Sequence, residues 1–197
     1  MTAPSSPCIE RVQPAEEHTL LPHLIALLRD ATESGGSIGF LPPLSTETAG
    51  VYWRKVFAEM AQDTCTLLVA REAGQVAGRE AGQVLGAVQL ALVMWPNAPH
   101  RAEVRKLLVL TSHRRRGIGR ALMDAVERAA DAAGRTLLVL DTRQGDAAER
   151  LYRALDYQEV GVVPGWCRDT HGAPDSTVIF YKHLPPAAPL TKTPPPA

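Results

Sequence analysis

The chain has 197 residues, 45% of them hydrophobic, which is enough for one domain with a substantial core. Lys plus Arg and Asp plus Glu both number 21, so the formal net charge is zero. That balance argues against a general nucleic-acid binder and against a polybasic membrane binder.

Cys8, Cys65 and Cys167 are an odd, sparse set without metal-ligand spacing, so no metal is expected and the compartment is expected to be the reducing cytoplasm. The N-terminus shows no signal-peptide pattern, and no apolar run approaches about 18 residues. Residues 1–7 are Ser/Pro-rich and residues 185–197 Pro-rich. Both ends are expected to be disordered or polyproline-like around a single domain at 8–184.

Residues 9–12 read as a first strand. A helix follows over about 20–32, with Pro22 placed in its first turn and Gly35-Gly36 as its stop. Residues 34–44 form a loop. Ser45 is set to cap a second helix to about 62, with Glu47 near its positive end. Strands are predicted at 64–70, 85–93 and 103–110, with a turn at 96–100. Between the first two, 71–78 and 79–86 are near-identical octets, differing at one position. We read 71–86 as a tandem duplication at a hairpin tip, because a solenoid needs longer and more numerous repeats. Eight is even, so the extra copy preserves strand face parity. Ile118, Ala121, Leu122, Ala125, Val126, Ala129 and Ala133 then share one helical face, and Gly134 is placed to end that helix. A strand over 136–140 ends at Asp141, a second amphipathic helix spans about 146–155, and strands at 157–163 and 177–183 close the chain. The alternation from 103 to 155 implies a right-handed βαβ crossover in an α/β (α+β) domain.

The most informative segment is 103–123. An apolar strand runs through Leu107, Leu108 and Val109 into an Arg-rich turn that opens directly into the helix. Such a turn aims backbone N–H groups at one point, where the helix N-terminus adds positive partial charge. Gly117 and Gly119 admit a ligand close to the backbone, beside Ile118. Arg114, Arg115, Arg116 and Arg120 surround the same point with donors suited to phosphate. This is a pyrophosphate grip. It is neither the Gly-x-x-x-x-Gly-Lys-Ser/Thr loop nor the dinucleotide fingerprint.

The pattern Arg-x-x-Gly-x-Gly from Arg114 to Gly119 resembles the acyl-coenzyme A loop of the GNAT N-acetyltransferase superfamily. The stretch 148–157, with Ala148, the pair Leu151-Tyr152 and the pair Asp156-Tyr157, resembles that superfamily's second hallmark. Many members carry Asn where this chain has Gly145, which puts one coenzyme A contact in question. The resemblance implies a mixed, mostly antiparallel sheet that splays between two parallel central strands, with helices on both faces. It also implies acetyl-CoA as cosubstrate. Backbone groups of Leu107, Leu108 and Val109 would meet the pantetheine amides as an added strand does.

Acetyl transfer to an amine requires a base for the ammonium, polarisation of the thioester carbonyl and an acid for the departing thiolate. Glu103 occupies the place of the base glutamate in histone acetyltransferases of the superfamily; its plain alternative is a solvated or salt-bridged side chain. Asp141 could share the base role, bind the substrate ammonium, or cap a turn. Tyr152 matches the tyrosine often used as general acid, and could equally pack on the core. Lys106 and His113 read as surface residues.

The strings 33–40, 100–107, 140–142 and 163–167 further resemble those of tabtoxin resistance proteins, which acetylate the amine of an amino-acid toxin. Glu103, Asp141 and Tyr152 match that family's proposed catalytic positions. The resemblance implies a small amino-acid-like acceptor, held by the loop containing Gly36 and Phe40 and by a loop at 164–167. There Trp166 either walls the pocket or covers the core, and Tyr52 and Trp53 either line it or belong to the core. Other readings are a protein or peptide N-acetyltransferase and a non-catalytic acyl-CoA sensor; a sensor needs the loop and none of the three side chains. No nucleic-acid or membrane partner is expected, and a homodimer is compatible with the sequence.

Overall fold

The computed structural model describes residues 7–72 and 83–185. The expectations for the two termini, and most of the duplicated octapeptide, fall outside those residues. Among the described residues, seven strands form one sheet: β1 (Cys8–Arg11), β2 (Cys65–Arg71), β3 (Val84–Leu92), β4 (Arg101–Val109), β5 (Leu137–Arg143), β6 (Gln158–Arg168) and β7 (Pro174–His183). Their order is β1-β2-β3-β4-β5-β7-β6. Every neighbouring pair is antiparallel except β4 and β5, which run parallel.

Helices α1 (Glu17–Glu33) and α2 (Thr46–Ala61) cover one face of the sheet. Their Leu20, Leu24, Leu27, Trp53 and Phe57 pack on Leu67, Val69 and Ala87. Helices α3 (Ile118–Ala132) and α4 (Ala147–Arg153) cover the other face, where Leu122, Met123, Val126 and Tyr152 meet Leu68, Val88, Leu138 and Phe180. Both faces of β2 are therefore buried, which explains its unbroken apolar run.

The local signals act as their chemistry dictates. Ser45 Oγ accepts the Thr48 N–H at 3.0 Å and caps α2, with Glu47 in the first turn. Gly134 lies beyond α3 at φ +68°. Two readings need correction. Helix α1 begins at Glu17, so Pro22 sits inside the helix rather than in its first turn. The carbonyl it leaves without a helical donor belongs to His18, on the exposed first turn, where water can satisfy it. Residues 164–167 are not a separate loop but a bulged part of β6. Pairing with β7 runs from Val163↔Thr177 to Cys167↔Asp175, so Pro164, Gly165 and Trp166 bulge out against a single β7 residue. Pro164 has no N–H to give the ladder and Gly165 takes φ +65°, which suits both to a bulge.

Gly86 sets how closely α3 approaches the sheet. A Cβ there would lie 2.7 Å from the Leu108 carbonyl oxygen and 3.1 Å from both Ile118 Cγ2 and Leu122 Cδ1. The backbone oxygen cannot rotate away. Gly86→Ala is therefore expected to cost about 1–3 kcal/mol in urea unfolding. A cost under about 0.5 kcal/mol, the scale of a neutral surface change, would contradict this packing.

Candidate active site

Strands β4 and β5 pair only from Arg101↔Leu137 to Glu103↔Val139. Beyond that point they diverge, β4 running on to Val109 and β5 to Arg143. The V between them opens into a cavity of about 1060 Å³. Glu103 sits where the arms part. Along the β4 arm, backbone groups from Val104 to Val109 have no β5 partner and are free to pair with an extended ligand. On its other side β4 carries a bulge, in which Lys106 and Leu107 together oppose Val88 and Lys106 adopts φ +49°.

The β4 arm leads into the turn at the head of α3. Arg115 at φ +64° and Gly117 at φ +81° curl the backbone into a concave nest of N–H groups. The first turn of α3 holds no acidic residue and no side-chain cap, so its N–H donors remain for a ligand. Helix α1 braces this turn: Asp30 accepts the Thr111 N–H at 2.8 Å and the Thr111 hydroxyl at 2.7 Å. Arg114 donates to Ser34 Oγ at 2.8 Å and to the Val109 carbonyl at 3.4 Å, so it ties the loop together as well as lining the cavity.

Leu107, Leu108, Val109, Arg114, Arg115, Gly117, Ile118, Gly119 and Arg120 all line the cavity; Arg116 is exposed and outside its lining. Gly119 has a second role beyond ligand approach. A Cβ there would meet Leu151 Cδ2 at 3.3 Å, so Gly119 also lets α3 pack on α4. Gly145 takes φ +81°, a left-handed position that Asn also tolerates, and its N–H donates to Glu149 Oε2 at 2.6 Å. Seven Arg or Lys side chains and three carboxylates line the cavity. In a chain of zero net charge, this is a local excess suited to a polyanion. Nest, free helix turn and unpaired β4 edge together fit acetyl-CoA: the nest and arginines would hold the pyrophosphate, and the β4 edge the pantetheine amides.

Glu103 is half-buried, and its Oε2 accepts from Arg105 Nη2 at 2.6 Å. Asp141 lies within β5 rather than at its end, because pairing with β7 continues to Arg143↔Thr177. Its Oδ2 accepts from the Thr177 hydroxyl at 3.0 Å. Tyr152 is only 5% exposed and packs on Tyr157 and Phe180, yet it lines the cavity. Burial, then the nearby carboxylates of Asp141 and Asp146, push its phenol pKa well up, so it holds its proton throughout the neutral range.

Gly36 and Trp166 line the same cavity, Trp166 at 56% exposure. Phe40 lines a smaller adjoining pocket of about 210 Å³ and packs edge-on against Tyr52 at 5.4 Å. Trp53 is wholly buried in the core. Lys106 and His113, read from the sequence as surface residues, both line the cavity. So do Arg143 and Arg150, which sequence reasoning passed over. Arg143 donates to the Gly35 carbonyl at 3.0 Å and lies 3.8 Å from Asp175 and 3.7 Å from Asp146. Among the described residues no group of three or more His, Cys, Asp or Glu is placed to hold a metal, and no helix is long and apolar enough to cross a membrane.

The fold has solved counterparts. A putative acetyltransferase from Salmonella typhimurium, determined with its cofactor acetyl-CoA, is 17% identical with a TM-score of 0.71, over 93% of this chain and 97% of the other. A ribosomal-protein-alanine N-acetyltransferase from Brucella melitensis is 22% identical with a TM-score of 0.69, over 90% and 99%. A putative phosphinothricin N-acetyltransferase is 18% identical with a TM-score of 0.72, over 91% and 99%. At these identities the likeness is one of fold. The sequence model of the acetyltransferase (GNAT) family matches residues 40–157, more than half of the chain and the span holding the splayed strands, the nest and the Leu151-Tyr152 pair. The chain therefore belongs to the acetyltransferase (GNAT) family and is an enzyme of the acyltransferase class.

Proposed function

We propose that the enzyme transfers the acetyl group of acetyl-CoA to the primary amine of a small amino-acid-like acceptor, by direct attack in a ternary complex. The observation that carries this reading is the V itself, with Glu103 where the arms part, Asp141 on the other arm and Tyr152 in the wall. Glu103 or Asp141 takes the proton from the acceptor ammonium. The amine nitrogen then attacks the thioester carbonyl carbon, while N–H groups of the β4 edge polarise its oxygen. As the C–S bond breaks, Tyr152 gives the departing thiolate its proton, and the second proton that the nitrogen sheds in becoming an amide restores the Tyr152 hydroxyl.

A small acceptor is favoured over a protein N-terminus by a contact beside the cavity. Ser37 Oγ and Cys167 Sγ approach to 3.3 Å, joining the glycine-rich loop to the β6 bulge where a peptide would need an open groove. The tabtoxin-resistance-like strings add support for inactivation of a toxin or antibiotic. The test is acetyl-CoA-dependent thiol release against free amino acids, β-lactam amino acids, polyamines and short peptides. Turnover on a free small amine is the expected result. Turnover on peptides alone, or tight acetyl-CoA binding with no turnover at all, would sink the reading.

A further inference from the structure

Among the cations that line the cavity, Lys106 is used by neither the cofactor grip nor the acetyl-transfer step. Its place is fixed with care. The β4 bulge holds it at φ +49°, a conformation unfavourable for a side chain with a Cβ. From there Nζ lies 5.7 Å from the centre of the Tyr52 ring. Tyr52 is itself pinned by its hydroxyl, which donates to Gln89 Oε1 at 3.0 Å, and by edge contacts with Phe40 and Trp53. On the loop side Gly39 lies close: a Cβ there would sit 3.7 Å from Nζ, at ordinary van der Waals distance. A half-buried ammonium is thus stacked on one ring and roofed by a glycine.

Among the described residues, no carboxylate lies within ion-pair distance of Nζ. Of the two acids nearby, Glu103 is paired with Arg105, while Asp141 keeps its charge and accepts only from the Thr177 hydroxyl, which also faces the Thr142 carbonyl at 2.8 Å. Burial lowers the Lys106 pKa, Asp141 and Glu103 oppose that at longer range, and Arg105 adds to it. A partly desolvated cation with three donors and no anionic partner is left facing a cavity. Glu103 and Asp141 attract the ammonium end of an acceptor. Lys106 presents the opposite charge on the side of the glycine-rich loop. The polarity of the site matches a zwitterion.

We propose that Lys106 binds the carboxylate of the acceptor and so selects amino acids over amines that lack one. This rests on the small-amine reading above and narrows its substrate class. The experiment compares matched pairs, each amino acid beside its decarboxylated amine: ornithine with putrescine, methionine with 3-(methylthio)propylamine, phenylalanine with phenethylamine. The expected wild-type result is a preference for the carboxylate member in kcat/KM. Lys106→Met should lower that member roughly thirtyfold and bring the ratio within a pair towards one, with Lys106→Arg restoring part of it. Equal losses on both members, or an unchanged ratio, would overturn the proposal.

A second measurement does not depend on turnover. The thermal midpoint of the CoA-loaded protein is followed with propionate and with propionamide at constant ionic strength. Propionate alone should raise it in the wild type, and Lys106→Met should abolish the rise. The same rise in both proteins, or none in the wild type, also overturns the assignment. If no amine is turned over but the Lys106-dependent response to propionate persists, the small-amine reading fails while the anion site stands.

Discussion

Gly117→Asp should lower acetyl-CoA affinity at least a hundredfold while leaving the protein folded. The two halves of this result have separate causes. A Cβ at Gly117 would meet nothing within 4 Å, so the unliganded fold has room for a side chain. The backbone there is at φ +81°, a left-handed position that Asp tolerates better than most residues. An acidic group at the head of α3 even favours the helix, through its dipole. The same carboxylate would project where the pyrophosphate must sit, occupying its volume and repelling its charge. A loss of about 2.8 kcal/mol in binding free energy corresponds to the hundredfold drop. Calorimetric titration with CoA, beside a thermal melt, measures both halves. An affinity within threefold of wild type would mean that the nest is not the pyrophosphate site. Gly119→Ala supplies the contrast. Its Cβ would press on Leu151 Cδ2, the flexible end of a side chain, so the expected binding loss is under about fivefold.

What could be read from the sequence was whatever is local along the chain. The cap at Ser45, the stop at Gly134 and the Arg-Gly turn each lie within a few residues, and each appears where its chemistry requires; the buried stripe of α3 is shifted, taking in Met123 and Ala130 and leaving Ala133 exposed beyond the helix. The site features missed arise from non-local geometry. Lys106 follows Arg105 in a strand, and strict alternation would turn it away from Glu103 and Arg105. The bulge opposite Val88 adds a residue and breaks that alternation, and nothing in the surrounding residues announces it. Ser37 and Cys167 meet across 130 positions of sequence. Arg143 entered the site because β7 extends β5 beyond Asp141, a matter of register between distant strands. The arginine cluster was legible as charge but not as division of labour: Arg114 spends hydrogen bonds on Ser34 and Val109, while Arg116 stays outside the cavity.

Tyr152 joins two readings that the sequence could only set side by side, a core tyrosine and a proton donor. Its ring is held against Tyr157 and Phe180, and the residue also forms part of the cavity wall. Tyr152→Phe preserves that packing and removes the proton. The expected outcome is a fall in kcat of about a hundredfold, with acetyl-CoA affinity within about twofold of wild type. The pH dependence follows from the direction of the shift. Burial raises the phenol pKa, so the donor form persists to higher pH than in an ordinary tyrosine, and Tyr152 should put no falling limb on kcat below about pH 10. Unchanged kcat in the Phe variant would remove Tyr152 as the acid. Glu103→Gln tests the other proton. A glutamine keeps the shape and a partner for Arg105 but cannot accept from an ammonium. Its activity should drop about a hundredfold near neutral pH and recover as pH rises, because the free amine then needs no base. A deficit that stays constant with pH would assign proton removal to Asp141, on the opposite arm of the V, and leave Glu103 as the anchor of Arg105.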